Sequence, residues 1–191
     1  MIILSIGTNI GDRERNIENA IVALRKIGKV NAVSPIYTSE PWGFKSENGF
    51  YNIALTLESE LSPLDLLRET QRIEKELGRT TKTTTEYADR VIDIDIIDCD
   101  GQIITISQQS TVNSQQSSIE PPRPTDTPPK TGGEYLYQRS LLTLPHPLMH
   151  LRNFVLYPLA DIAPEWRHPI LKLTAQELKE RSEDKSIPYK K

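Results

Sequence analysis

Two aspartates, Asp93 and Asp95, stand two residues apart in the apolar run VIDIDII at 91–97. Because side chains alternate across a strand, both carboxylates would point to one face and the isoleucines between them to the other. The two charges would then lie ~6.7 Å apart and repel by about 2–3 kcal/mol at an effective dielectric constant of about 20. Mg²⁺ would offset that repulsion, since it prefers carboxylate oxygens and leaves its other positions to water and phosphate. The spacing predicts a metal site, and an exposed strand face that carries aspartate is the alternative.

Charged side chains precede the aspartate pair. Glu74, Arg79, Lys82 and Arg90 surround a Thr-rich loop at 80–89. Cations around a metal fit a polyphosphate, whose negative charge must be balanced on all sides. Without the aspartates, the same residues would describe a solvated charged loop.

A histidine lies between two prolines in LPHP at 144–147, and LRNF at 151–154 follows it. The prolines would hold His146 rigidly, so it could donate a hydrogen bond to phosphate. The alternative is that His146 only ends a turn. The second motif supplies a cation, Arg152, and an aromatic ring, Phe154.

Aromatic and amide side chains form a second group. Trp42 follows a proline in the predicted loop at 39–49, and Phe50 begins a predicted strand. Asn52 is two residues farther along, so it shares a face with Phe50. Aromatic rings beside an amide describe a slot for a flat heterocycle with hydrogen-bonding edges. The alternative is that Phe50 and Phe154 are ordinary core residues.

Hydrophobic periodicity predicts the elements that must position these groups. Apolar runs and alternation indicate strands at 2–8, 30–38, 50–59 and 88–98. Helices are predicted from Asp12 to Gly28 and from Ser62 to Gly78. The order βαββαβ, with helices packed on an antiparallel sheet, predicts an α+β fold with a ferredoxin-like core.

The second half of the chain is less regular. QIITI at 102–106 is predicted to form a hairpin with the preceding strand, and 141–164 a helical C-terminal extension that packs back on the sheet. Ser, Gln, Thr and Pro dominate 107–138, which predicts a disordered or flexible insertion within a single domain, 1–191. A proline-rich docking segment is the alternative there. The charged tail from Lys179 is expected to fray.

Composition narrows the class of protein. The chain has 191 residues, of which 37% are hydrophobic and 26% charged, with a formal net charge of −3. These values are typical of a globular protein, and the negative net charge does not indicate a broad basic surface that would bind polyanions. The N-terminal apolar run is too short for a signal peptide or membrane span, and the lone Cys99 fits a reducing compartment. We therefore expect a cytoplasmic protein that binds neither membrane nor nucleic acid.

The combined motifs resemble the 6-hydroxymethyl-7,8-dihydropterin pyrophosphokinase family of folate biosynthesis. The Arg-x-x-Asp-x-Asp string joined to the downstream Leu-Pro-His-Pro is the specific part of this resemblance. The matching segments are SIGTNIGDRERNIENAI at 5–21, VSPIYTSEPWG at 33–43, FYNIAL at 50–55, QRIEKELGR at 71–79, RVIDIDII at 90–97 and LTLPHPLMHLRNFVLYPLADIAP at 142–164.

The resemblance implies a reaction and a set of site residues. The reaction is transfer of the diphosphate of ATP to the pterin hydroxymethyl group, with release of AMP, by a monomer that uses two Mg²⁺. Asp93 and Asp95 would hold the metals and, with Arg79 and Arg90, form the catalytic set. The implied pterin-binding residues are Ser39, Glu40, Pro41, Trp42, Phe50, Asn52 and Phe154. The implied ATP-binding residues are Gln71, Glu74, Arg79, Tyr87, Arg90, Ile96, Thr143, His146, Pro147 and Arg152.

The loop before the aspartates departs from the family pattern. The family usually has a basic residue and a tryptophan where this chain has Glu86 and Tyr87, and a proline is common at the position of Asp89. Thr81 stands near a position where arginine is frequent. Fewer cations predict weaker ATP binding or slower loop closure.

Two other functions compete with this interpretation. Another two-metal enzyme on a ferredoxin-like sheet, such as a nucleotide cyclase or polymerase, would share the aspartates but not the aromatic slot. A non-catalytic nucleotide- or RNA-binding module would require aromatic residues on the central strands and a basic face. The net charge and the aspartate pair argue against that module.

Overall fold

The computed structural model of the chain describes residues 1–79, 88–107 and 140–191. Its main sheet is antiparallel and has six strands: β1 (Ile2–Thr8), β2 (Lys29–Val33), β3 (Tyr37–Ser39), β4 (Phe50–Glu58), β5 (Asp93–Cys99) and β8 (Tyr189–Lys190). Their order is β5-β1-β4-β3-β8, and β2 is also paired to β4. A separate antiparallel pair joins β6 (Ile104–Ser107) to β7 (Ser140–Leu144).

Four α-helices accompany these sheets in the described part of the chain. They are α1 (Arg13–Leu24), α2 (Pro63–Glu76), α3 (Asn153–Ile162) and α4 (Ala175–Glu180), with a 3-10 turn at Met149–Leu151 before α3. The predicted capping residues begin the first two helices, since the side chains of Asp12 and Ser62 accept hydrogen bonds from backbone N–H groups three residues later. None of the helices among the described residues is long and apolar enough to cross a membrane.

Helices cover both faces of the main sheet. Residues of α1 and α2 pack on one face against alternate residues of β1, β4 and β5. Residues of α3 and α4 pack on the opposite face, where they enclose Ile3, Ala54 and Ile97. The chain is therefore a mixed protein of helices and antiparallel sheet, as predicted.

The face beneath α3 changes character along the strands. In β1 it carries Ile3, then Ser5, then Gly7, because these residues alternate with the inward-facing Leu4 and Ile6. The pairing register places Gly7 between Asn52 of β4 and Asp93 of β5. The apolar end of this face is core, and the polar end is left open for the site.

The strand predicted at 30–38 is wrong as a single element. It is divided into β2 and β3, both paired with β4, and residues 34–36 between them belong to neither strand, although the Ser34 N–H still donates to the Ala54 carbonyl at 2.9 Å. Pro35 has no N–H to donate, and Ser34 turns inward, where its hydroxyl accepts from the Ala54 N–H at 3.0 Å.

The predicted hairpin between β5 and 102–106 is also wrong. Asp100 and Gly101 adopt positive φ values of 53° and 68°, and the chain turns away from the main sheet. The following strand, β6, pairs with β7 instead, in the register Ile104↔Leu144. The helical extension predicted from residue 141 is therefore wrong for 141–144, which belong to β7. The backbone N–H of His146 then donates to the Ile97 carbonyl at 2.8 Å, which ties the end of β7 to β5.

The tail after Lys179 does not fray in the structure. Its residues form the edge strand β8, which pairs with β3 through Tyr37↔Lys190 and Thr38↔Tyr189. Tyr87, together with the rest of 80–87, lies outside the described residues. The predicted insertion at 107–138 does too, except for Ser107, which ends β6.

Candidate active site

A cavity opens at the polar end of the sheet, and about 520 Å³ of space, open solvent at its mouth included, lies among its lining residues. Its wall combines residues from both predicted groups, the aromatic slot and the aspartate pair. The lining residues are Ser5, Gly7, Ser39, Glu40, Trp42, Phe44, Phe50, Asn52, Arg90, Asp93, Asp95, Arg152 and Phe154.

The floor of the cavity holds a fixed amide. Asn52 is buried, and its Nδ2 donates to the Ser39 Oγ at 2.9 Å. This bond orients the amide, which leaves Oδ1 on the side of Gly7. A Cβ atom at position 7 would lie 3.2 Å from that oxygen and 3.7 Å from the Phe50 ring. Glycine therefore keeps the floor open between the amide and the aspartates.

Aromatic rings line the mouth of the cavity. Phe44 and Phe50 meet edge to face, with centroids 6.1 Å apart. The Arg152 guanidinium lies 4.6 Å from the Trp42 centroid and 5.7 Å from that of Phe154. Cation–π attraction draws Trp42 and Phe154, from distant parts of the chain, toward one cation. A flat, polar ring has both stacking partners and a hydrogen-bonding edge here.

Two arginines converge on Asp93. Arg79 Nη1 pairs with Asp93 Oδ1 at 2.7 Å, and Arg90 Nη1 pairs with Asp93 Oδ2. Arg79 also pairs with Glu74, which is 5% exposed and accepts the Ile94 N–H at 2.7 Å. Burial, and then the charge of Asp93, raises the pKa of Glu74 to about 7.

Asp95 lies beside this network, and its environment disfavours the ionised form of its carboxyl group. Burial raises the pKa of the Asp95 carboxyl to about 6, and the charge of Asp93 adds to the rise. Arg152, Arg90 and Arg79 attract the carboxylate and oppose the shift. A cation bound to the two carboxylates would oppose both causes of the rise, because it stabilises the ionised form of Asp95.

The candidate metal ligands are two carboxylates. No group of three or more His, Cys, Asp or Glu side chains that could hold an ion occurs within 1–79, 88–107 and 140–191. Mg²⁺ commonly takes one or two carboxylates and completes its shell with water and phosphate oxygens. Asp93 and Asp95 fit a metal that arrives with a polyphosphate.

His146 lies near the same charges. Burial, and then the charge of Arg152, lowers its pKa to about 3, so the imidazole is neutral at physiological pH. Its Nδ1 accepts from the Leu148 N–H at 3.2 Å. The proton must then sit on Nε2, which is a hydrogen-bond donor. Donation from Nε2 to phosphate stays a prediction.

The other predicted nucleotide residues do not line the cavity. Arg79 pairs with both Glu74 and Asp93, and the charge of Asp93, a lining residue, also acts on His146. Gln71 is exposed on α2, Thr143 and Pro147 are partly buried near β7, and Ile96 is buried in the core beneath α1 and α2. Of the predicted pterin residues, only Pro41 is absent from the lining.

A polar latch joins three loop segments at the edge of the cavity, and the sequence analysis did not predict it. Asp89 accepts from Asn9 Nδ2 at 2.7 Å and from Asn48 Nδ2 at 3.0 Å. Hydrogen bonds from Ser46, then Asn48 and Asn9, lower the pKa of Asp89. Asn9 also accepts the Arg90 N–H at 2.7 Å. The only sequence signal was that Asp89 departs from the family pattern.

Comparison with protein-family models matches residues 3–164 to 7,8-dihydro-6-hydroxymethylpterin-pyrophosphokinase (HPPK). The chain belongs to this family. A relative from Porphyromonas gingivalis, named 2-amino-4-hydroxy-6-hydroxymethyldihydropteridine pyrophosphokinase, is 37% identical over 171 residues, which are 88% of this chain and 94% of the relative. A protein of the same name from Aquifex aeolicus is 30% identical over 176 residues, 92% of this chain and 88% of the relative.

Solved structures show the same fold. The Plasmodium falciparum HPPK-DHPS crystal structure with pteroate superposes with a TM-score of 0.62 and 18% sequence identity. The superposition covers 94% of this chain and 42% of that one, so the chain spans less than half of that longer protein. At this identity, the likeness supports the HPPK fold and no further property.

Proposed function

We propose that the chain transfers the diphosphate of ATP to the hydroxymethyl group of 6-hydroxymethyl-7,8-dihydropterin, with release of AMP. Membership of the HPPK family gives the pyrophosphokinase activity in folate biosynthesis. The observation that carries the proposal to this chain is the single cavity wall shared by Asn52, the aromatic rings and the aspartate pair. This shared wall supports a slot for a flat heterocycle directly beside a candidate phosphate and metal site.

In the proposed complex, the pterin stacks among Trp42, Phe50 and Phe154, and Asn52 reads its polar edge. The orientation of Asn52 is already fixed by Ser39, so little ordering is required when the pterin binds. Glu40 lines the same cavity, and Pro41 precedes Trp42 in the loop above it. The hydroxymethyl group would then face the aspartates.

Asp93 and Asp95 would hold Mg²⁺, two ions in the full complex, which supplies positive charge to the phosphates. Arg79 and Arg90 hold the Asp93 carboxylate in the ligand-free chain. They are placed to pair with phosphate oxygens once that carboxylate binds a cation. His146 would donate from Nε2, and Arg152 would add charge between pterin and nucleotide. Gln71, Glu74, Tyr87, Thr143 and Pro147 complete the proposed nucleotide site. Ile96 could add only its backbone, because its side chain is buried in the core beneath α1 and α2.

The sheet order further supports a finer description of the fold. With β2 and β3 counted as one interrupted strand, the order β5-β1-β4-(β2, β3) is that of a ferredoxin-like βαββαβ core. We infer one domain over 1–191, with α3 and α4 as its C-terminal extension, that acts as a monomer on small molecules. The aromatic slot favours this function over a cyclase or a polymerase, and the aspartate pair and the net charge favour it over an RNA-binding module.

A coupled assay for AMP tests the proposal. The full chain is incubated with ATP, Mg²⁺ and 6-hydroxymethyl-7,8-dihydropterin, and each component is omitted in turn. We expect AMP release that requires both the pterin and Mg²⁺. AMP release without the pterin, or none with all components and a folded protein, would contradict it.

A further inference from the structure

Asn153 begins α3 between two residues of the proposed site, Arg152 and Phe154. It is 3% exposed, and the segment after α4 binds it. The Asn153 N–H donates to Asp184 Oδ2 at 2.9 Å. The Asn153 Nδ2 donates to the carbonyls of Asp184 at 3.0 Å and Ser186 at 2.6 Å. Three hydrogen bonds thus fix the residue that separates a proposed cation from a proposed stacking ring.

Asp184 is itself held in a preformed turn. Its Oδ1 accepts from the N–H of Ser186 at 2.9 Å and from the Ser186 Oγ at 2.7 Å. The other oxygen is therefore aimed at the first N–H of α3, which lacks a partner within the helix. A carboxylate at a helix N-terminus is also favoured by the helix dipole. This bond stabilises the start of α3 in one position.

The same segment also reaches the opposite side of the cavity. Its end forms β8, and Lys190 pairs with Asp161, which also accepts from the Tyr37 hydroxyl at 2.8 Å. Tyr37 belongs to β3, and β3 ends at Ser39, the partner that orients Asn52. One tail segment therefore contacts the elements that carry both walls of the cavity.

We propose that residues 182–191, the C-terminal strap, position the two walls of the pterin cavity, and that Asp184 is a positioning residue for Arg152 and Phe154. The strap lies beyond the part of the chain matched to the family, 3–164. This inference rests on the proposed function, because it names residues that set the geometry of that site. The strap acts through the backbone and the side chain of Asn153 and touches no reacting atom.

The test compares three single variants of the full chain by steady-state kinetics. Asp184→Ala removes the acceptor, and we expect kcat/KM for the pterin to fall roughly tenfold, mainly through a higher KM. Asp184→Asn keeps one acceptor oxygen, and we expect it to restore most of that loss. Glu183→Ala removes the same charge from an exposed neighbour and is expected to behave as the unmodified protein.

Intrinsic fluorescence gives a second readout that does not depend on activity. Arg152 lies over the Trp42 ring, so release of Asn153 should change Trp42 emission in Asp184→Ala and leave it unchanged in Glu183→Ala. If Asp184→Ala does not fold, Asn153→Ala removes the two side-chain bonds and keeps the backbone bond. That variant should show the same direction of change in KM and in emission.

The two proposals fail in different ways. An unmodified chain that releases no AMP contradicts the proposed function, and the fluorescence comparison then still decides the strap. The positioning role of the strap is overturned if the unmodified chain is active and Asp184→Ala matches Glu183→Ala in both KM and emission. Equal loss of kcat/KM in Asp184→Ala and Asp184→Asn would overturn the role of the acceptor oxygen.

Discussion

Replacing Asp95 by Asn should stabilise the ligand-free protein while it abolishes turnover. The folded-state pKa of Asp95 is about 6, against 3.8 for an ordinary aspartate. The folded protein therefore binds this proton more tightly than the unfolded chain does. Stability is lost as the pH rises from about 4 to about 6, and the loss is complete above that range. Asn cannot ionise, so the Asp95→Asn variant does not lose this stability as the pH rises.

The size of the effect follows from the shift. Each pKa unit corresponds to about 1.4 kcal/mol, so two units would cost about 3 kcal/mol of unfolding free energy. Asp95 lines an open cavity, and its side chain is only partly buried. Solvent therefore screens its charge and reduces this cost in unfolding free energy. We expect a gain of about 1–2 kcal/mol, which corresponds to a melting temperature about 3–6 °C higher in a chain of this size.

Thermal denaturation at two pH values measures the gain. At about pH 8, without Mg²⁺ or nucleotide, Asp95→Asn should melt above the unmodified protein, and near pH 4.5 the two should approach each other. Glu18→Gln removes a charge from the exposed face of α1 and controls for net charge. An Asp95→Asn variant that melts below the unmodified protein at about pH 8 would refute the inference that the buried, ionised Asp95 carboxylate lowers the stability of the fold.

Three further outcomes test individual contacts. Asp93→Asn should lower kcat by at least ~10³-fold with the fold intact, because it removes a proposed metal ligand that two arginines orient; Mg²⁺-dependent AMP release close to normal would exclude that role. Gly7→Val should raise the KM for the pterin by roughly tenfold or more and leave the KM for ATP nearly unchanged, since a Cβ there would lie 3.2 Å from the Asn52 Oδ1; an equal effect on both substrates would contradict this placement. Asp89→Ala should speed amide hydrogen exchange in 43–49, because it breaks the bonds to Asn9 and Asn48; unchanged exchange there would show that the latch does not hold the loop.

Local sequence signals predicted α1, α2 and α3 and the strands β1, β4, β5 and β6, but not α4, β7 or β8. Ser62 followed by Pro63 marks the start of α2, and Gly78, with a φ of 100°, marks its end. These signals are reliable because capping and positive φ depend on a few neighbouring residues. Pairing partners were less predictable: nothing near 102–106 indicates that β6 pairs with β7 rather than β5. Pairing depends on residues far apart in the chain.

The sequence by itself determined the chemical groups of the site. The alternation in VIDIDII places both carboxylates on one face of β5, and Phe50 and Asn52 on one face of β4. Spacing along one strand fixes such relations, so no tertiary information is required. The resemblance to HPPK rested on these same short strings, and the family match bears it out.

Only the tertiary structure decided which groups meet and how charged they are. Gly7 became a site residue because the register sets it between Asn52 and Asp93. The pKa of Asp95 depends on burial and on arginines from three separate segments. The contact of Asp184 with Asn153 joins residues 31 positions apart, and no local pattern announces it. Burial and long-range contact arise when the chain closes on itself, so they cannot be read from neighbouring residues.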